Sequence, residues 1–195
     1  YEVTQAQYEA LMGENPSRII GDNLPVDRVT WNDAVEFCAQ LTAKEKAAGR
    51  LPTGYVYSLP TEAQWEYACR AGTTTAFNNG TNIPTEDEAW WGEPCANLDE
   101  VGWYNSNSDR VSHAVGLKKP NAWGLYDMHG NVYEWCLDWY GSYPDSAVID
   151  PTGPKSSFWR AKRGGAWGDK SYSCRSASRH IAQQSDVSPL TGFRV

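Results

Sequence analysis

Helical periodicity fills the front third of this chain and then disappears. Thr4 followed by Gln7 has the spacing of a capping box, in which the N-cap hydroxyl and the side chain three residues on satisfy each other's open amides. It opens a helix through Leu11. Thr30 caps a second helix, where Ala34, Phe37, Cys38 and Leu41 recur at helical spacing and Gly49 supplies a stop. Thr61 and Gln64 repeat the box, Trp65, Ala68 and Cys69 form a buried stripe, and Gly72 ends it. Beyond Gly72 the helical period is gone. Residues 71–112 read as long loops rich in Asn, Thr, Gly and Pro. Short strand-like runs are expected at 55–59, 114–117, 134–140, 158–163, 174–178 and 192–195. Helices first, then short strands among loops, predict a single α+β domain over residues 1–195.

Composition agrees with a loop-rich core. There are 10 Trp and 11 Tyr against 4 Phe, with 17 Gly and 11 Pro. Trp and Tyr combine apolar area with a polar tip, which suits a fold short of regular structure. A chain of 195 residues buries roughly 70% of the surface its unfolded form exposes. No apolar run approaches the roughly 20 residues a bilayer needs, so a transmembrane segment is not expected. Net charge is −7, yet from Lys155 onward eight Lys and Arg face only Asp169 and Asp186. A nucleic-acid binder would add a basic stripe and a recognisable module. Neither is present, so the arginines are expected to neutralise an acidic body within one fold. The five cysteines (Cys38, Cys69, Cys95, Cys136, Cys174) form no CxxC pair and read as buried free thiols, with one disulfide left open if the chain is exported.

Several long segments carry a family resemblance, in order and along the whole length. They are residues 1–8 (YEVTQAQY), Pro25-Val26 with Val29-Thr30-Trp31, residues 59–68 (LPTEAQWEYA) and residues 121–135 (NAWGLYDMHGNVYEW). Arg163-Gly164-Gly165-Ala166-Trp167, Cys174-Arg175-Ser176-Ala177 and Gly192-Phe193-Arg194-Val195 complete the set. Together they resemble the formylglycine-generating-enzyme-like (sulfatase-modifying factor) domain. The resemblance implies a C-type-lectin-like fold of that type. One fold hosts many functions, so activity has to be argued from the site.

The family's oxidases hold copper with two cysteines in the closing segment. The first lies five residues after the first glycine of the Gly-Gly pair, which here is Asp169. Counting five further reaches Cys174, whereas alignment on Arg175-Ser176-Ala177 makes Cys174 a core residue. Either way the thiol pair is broken, and a carboxylate does not replace a soft donor for Cu(I). No enzyme activity and no catalytic cofactor are therefore expected. The related sulfur-oxidising iron enzymes draw histidine ligands from an additional domain. His113, His129 and His180 have no metal-ligand spacing and read as loop, turn or surface residues. Asp127, Gly130, Val132 and Glu134 match a calcium site of the family's central signature, two carboxylates and two carbonyls being hard donors for a hard cation. The alternative is that Asp127 and Glu134 bond to backbone amides in a tight turn. Asn97-Leu98 resembles the start of a second calcium site but lacks its downstream Asp. Trp31-Asn32-Asp33 spells a lectin sugar motif, yet after Thr30 it reads as helix capping.

Within residues 160–195, side chains without helical or strand period punctuate a fixed frame of Gly164, Gly165, Arg175, Ser176, Ala177 and Arg179. This pattern is similar to the variable proteins of diversity-generating retroelements, whose closing segment is rewritten to change the ligand site. The resemblance implies ligand contacts at Trp167, Asp169, Lys170, Tyr172, Ser173, Ser178, His180, Ile181 and Ala182. Tyr, Ser, Asp and His suit such a role, giving aromatic area at low entropic cost and adaptable hydrogen bonds. The expected function is a non-catalytic binder of a protein ligand, at the cell surface or secreted. The alternatives are a formylglycine-generating-type oxidase and a paralogue with one fixed ligand, in which these are ordinary solvated loop residues.

Overall fold

Each of the first three helices starts where a side chain satisfies the amides that a helix start leaves open. The computed structural model describes residues 1–84 and 94–195. In it α1 (Gln5–Met12), α2 (Trp31–Ala47) and α3 (Glu62–Arg70) all carry complete capping boxes, from Thr4 with Gln7, Thr30 with Asp33 and Thr61 with Gln64. Their ends lie within two residues of the expected stops. Gly13 closes α1 in the left-handed conformation, and Ala71 does so for α3 one residue ahead of Gly72. The Trp31-Asn32-Asp33 triplet is capping chemistry, because Asp33 Oδ2 accepts from both the amide and the hydroxyl of Thr30. A fourth helix, α4 (Ala96–Asp99), is one turn long and contains Asn97 and Leu98. The expected loop segment 71–112 includes residues 85–93, which lie outside the described residues.

The strands are short and find partners far away in sequence. β1 (Gly102–Trp103) pairs in parallel with β2 (His129–Gly130). The second sheet joins β3 (Tyr133–Trp139), β4 (Arg160–Arg163), β5 (His180–Ala182) and β6 (Thr191–Gly192) in the order β5-β4-β3-β6. β4 is antiparallel to both neighbours, and β6 runs parallel to β3. Gly130 is where backbone contact is tightest: its φ is +85°, and a Cβ there would stand 1.9 Å from the Trp103 carbonyl oxygen.

Side-chain alternation on β3 and β4 divides the core. Trp135 joins Tyr8, Phe37 and Phe193, which meet with ring centroids 5.2–6.3 Å apart, beneath α1 and α2. Cys136 and Ala161 face the other way onto Trp65 and Cys69 of α3. A third cluster gathers Phe77, Cys95, Leu98, Val101, Tyr104 and Cys174 beside α4 and β1.

The basic closing segment is neutralised inside the fold. Fully buried Arg163 pairs with Glu62 and Glu66 and donates to the carbonyl oxygens of Ser176 and Ala177. Arg179 grips Glu62 through two bonds of 2.6 and 2.7 Å. Arg160 lies between the rings of Trp31 and Trp139, 3.5 Å from each centroid.

Three expected strands do not form, and their amides show why. Val115 N–H donates to Asn23 O and Gly116 N–H to the Asp127 carboxylate, so 114–117 is spent on loop contacts. Residues 174–178 leave a 3-10 turn (Ser171–Cys174), and Ser176 N–H donates to Ala76 O. In 55–59, Tyr57 N–H goes to the Thr42 hydroxyl. The last expected strand shrinks to β6, because the Phe193 carbonyl turns to the Val3 amide. Among the described residues, no helix is long and apolar enough to cross a membrane.

Candidate ligand site

Two successive left-handed glycines, Gly164 and Gly165, turn the chain out of β4 and fold the next ten residues back over the sheet. Gly165 has no room for a side chain, since a Cβ would stand 2.6 Å from Cys174 Sγ and 2.9 Å from its Cα. The returning turn is pinned at several points. Asp169 N–H donates to Ala166 O, Asn105 N–H donates to Asp169 O, and Trp167 N–H donates to Asn131 O. His129 Nδ1 lies 2.7 Å from the Cys174 carbonyl, so it donates there, while its Nε2 accepts the Asn78 amide. This histidine is fully buried, which corrects its reading as a turn or surface residue: it ties the central signature to the closing segment.

What the turn places over the sheet is a polar cluster centred on Tyr133. The Tyr133 hydroxyl lies 3.2 Å from His180 Nδ1, and the two ring centroids are 4.6 Å apart. His180 Nε2 reaches the Ser173 carbonyl at 3.3 Å, so the neutral ring carries its proton on Nε2 and accepts at Nδ1. Burial holds the His180 pKa below its ordinary value. Burial, then the negative charge of Asp169, raise the Tyr133 phenol and keep it protonated. Lys162, opposite His180 in the β4–β5 register, places its Nζ 4.3 Å from the Tyr133 ring centroid and 3.3 Å from Thr191 Oγ1. Burial pushes this amine down to about 8.

The expected contact residues therefore separate into groups. Asp169, Ser173 and His180 converge on Tyr133. Lys170, exposed, and Tyr172, half-buried, lie on the same turn. Trp167 is half-buried and donates its indole N–H to Pro189 O, bracing the last loop. Ser178 is buried and spends its hydroxyl on Tyr172 O. Ala182 is packed in the core with Trp135, and Ile181, exposed, alternates to the opposite face of β5 from His180. Sequence reasoning missed Tyr133, Lys162 and Thr191. Only the pairing of β3 with β6 and β4, and of β4 with β5, brings them under the turn, although a lysine inside the short run Arg160–Arg163 was a signal available to it.

The thiols lie elsewhere. Cys174 is fully buried in the apolar cluster that also contains Cys95, and burial pushes its thiol well above the ordinary value. All five cysteines are buried, and none forms a disulfide among the described residues.

The expected calcium residues sit in and between the turns that flank β2. Asp127 Oδ2 accepts the Gly116 amide at 2.7 Å, while its Oδ1 is buried without a partner among the described residues. Glu134 is buried and its carboxylate accepts from Arg194 and from the Trp65 indole. Gly130 donates its amide to Gly164 O, and Val132 packs beside Gly192. Fully buried Glu2 lies within electrostatic reach of Asp127 and Glu134, and both of its oxygens lack a partner among the described residues.

Comparison with known proteins agrees with this architecture. The solved variable protein 1 of Treponema denticola superposes with a TM-score of 0.82 at 32% identity, covering 98% of this chain and 80% of that one. PvdO of Pseudomonas aeruginosa gives 0.76 at 27% identity, over 99% and 76% of the two chains. Among sequences, the chaperone protein LppX of Paenibacillus barcinonensis is 34% identical, matching 86% of this chain and 67% of its own length. The formylglycine-generating enzyme of Bos taurus is 36% identical over 73% of this chain, a match that spans only 35% of the enzyme's length. The model of the sulfatase-modifying factor enzyme 1-like domain matches residues 1–195. By that match over its whole given length, the chain belongs to the sulfatase-modifying factor enzyme 1-like family.

Proposed function

We propose that the chain is a non-catalytic binding protein, and that its closing segment presents a diversifiable surface to a protein ligand. One observation carries this reading: the Cys174 thiol is sealed in the core, and the position that the resemblance assigns to an oxidase's first thiol is a carboxylate, Asp169. The site that remains offers a phenol, an imidazole, an amine and a carboxylate on a turn braced from below. That set holds a partner through hydrogen bonds and aromatic area and has no soft donors with which to activate oxygen. The likeness to a variable protein of the same fold supports the reading. Asp169, Lys170, Tyr172, His180 and Ile181 are the positions expected to tolerate change, whereas the buried Ser173, Ser178 and Ala182 should accept only small residues. Such a binder acts on partners outside the cell, so the surface or a secreted state is its address. A library randomised at those five positions tests the proposal. Most members should fold with a melting temperature close to the parent's, and selection on protein panels should yield binders. A library that is largely unfolded would contradict it, as would a gene with neither a template repeat nor a reverse transcriptase beside it.

Calcium belongs to this proposal as a structural ion. Glu2 and Asp127 lie within electrostatic reach of the Glu134–Arg194 pair, and unpartnered buried oxygens on Glu2 and Asp127 suit a hard cation. Asp127 and Glu134 would hold it with the carbonyls of Gly130 and Val132, Glu134 sharing its carboxylate with Arg194. An ion bound only by the folded state at a hundredfold excess over its Kd stabilises by about 2.7 kcal/mol. EDTA should therefore lower the melting temperature by several degrees, and Asp127→Ala should remove that effect. An unchanged melting temperature would leave Asp127 and Glu134 as turn and strand anchors alone.

A further inference from the structure

Among the described residues, Lys162 is the cation of β4 whose amine meets neither a carboxylate nor a carbonyl. Arg163 has two carboxylates and two carbonyls, and Arg160 has two indole faces and the Leu137 carbonyl. Lys162 is only 9% exposed, yet its hydrogen-bond acceptor among the described residues is the Thr191 hydroxyl at 3.3 Å. Its other neighbours are the faces of Tyr133 and Trp135, 4.3 and 5.8 Å from Nζ. Asp169 and Asp186 act on it only through space. Asp186 spends its carboxylate on the Gln183 amide, and no ion pair joins either acid to Lys162 among the described residues. A buried ammonium with unused donor hydrogens is costly unless something supplies an acceptor. It lies beside the same Tyr133 that Asp169, Ser173 and His180 surround, and it is not one of the residues expected to vary.

We propose that Lys162 is a fixed anchor at the floor of the ligand site, and that it pairs with an acidic side chain of the bound protein. This rests on the reading of the closing turn as a binding surface and adds the chemistry of what is bound. Whatever side chains occupy the turn, the floor selects partners that insert a carboxylate over Tyr133. Lysine is suited to this, since its amine is a compact point charge with three donors on a flexible stem.

The test is a titration of protein carrying 13C- and 15N-labelled lysine, followed at the Lys162 side-chain resonances. Lys162→Arg and Lys162→Met identify those signals by their loss, and the conservative arginine variant serves if the methionine variant fails to fold. The probe is N-acetylglutamic acid α-amide, with N-acetylglutamine amide as its uncharged isostere. The expected result is a saturable shift at Lys162 with the acid and at least tenfold weaker binding of the amide. Equal responses to both probes, or no response at Lys162, would overturn the anchor. Randomised turns that still bind proteins while Lys162 stays silent would strike only this inference. A Lys162 that answers the acid in a protein whose turn tolerates no variation would strike only the binding-surface reading.

Discussion

Alkaline pH should stabilise this protein through Lys162, against the usual trend. Burial lowers the amine from an ordinary 10.5 to about 8, so between those values the unfolded chain holds a proton that the folded chain has released. Stability rises with pH wherever the unfolded state binds more protons. The gain therefore begins near the folded value and is complete above the unfolded one. Each unit is worth about 1.4 kcal/mol, so roughly two units between about pH 8 and about pH 10 give about 2–3 kcal/mol. Buried thiols and phenols work in the opposite direction, because burial raises Cys38, Cys69 and Tyr104 and only the unfolded state ionises them early. The isolating measurement is therefore a difference. Urea unfolding is followed by tryptophan fluorescence at a series of pH values for the parent and for Lys162→Met, whose thioether suits the ring faces of Tyr133 and Trp135. The parent's stability minus the variant's should climb by about 2–3 kcal/mol across that window. A flat or falling difference would refute the claim that this amine is desolvated under the aromatic pair.

Two further substitutions probe the frame that holds the turn. Arg163→Met leaves Glu62 to Arg179 and Glu66 to Arg70 but frees the Ser176 and Ala177 carbonyls, so urea unfolding should show a loss of about 1–3 kcal/mol, the scale for leaving buried acceptors unpaired. Gly165→Ala drives a Cβ into Cys174 at a φ of +78°, and its melting temperature should correspond to a loss of about 2–4 kcal/mol. A near-neutral result at Gly165 would mean the turn does not close on Cys174 as described.

How far the sequence could be read depended on the range of the interactions involved. The helix starts are local: Thr4, Thr30 and Thr61 each satisfy amides three residues away, and all three were legible. The strands of the second half are not local. β6 pairs with β3 across more than fifty residues, and β5 is three residues long with no period of its own. Residues 114–117 and 174–178 had strand-like composition, but their amides were claimed by Asn23, Asp127 and Ala76, which no window of sequence displays. The same limit shaped the site. Asp169, Ser173 and His180 were visible as irregular residues on a glycine-framed turn. Lys162 read as a strand position and Tyr133 as part of the 121–135 signature, because only the pairing of Trp135 with Lys162, and of Lys162 with His180, brings them beneath it. His129 was underestimated for a related reason: both of its ring nitrogens find backbone partners more than forty residues away.

Copper affinity bears most directly on the central claim that this chain binds and does not oxidise. Reduced protein is titrated anaerobically with Cu(I) against a chromophoric chelator, in parallel with Cys174→Ser. One carboxylate at the mouth and one thiol enclosed among Phe77, Leu98 and Tyr104 should leave the copper on the chelator, equally for both proteins. Stoichiometric transfer of one copper per chain, lost on replacing Cys174, would contradict the account and return the protein to the oxidases of its family.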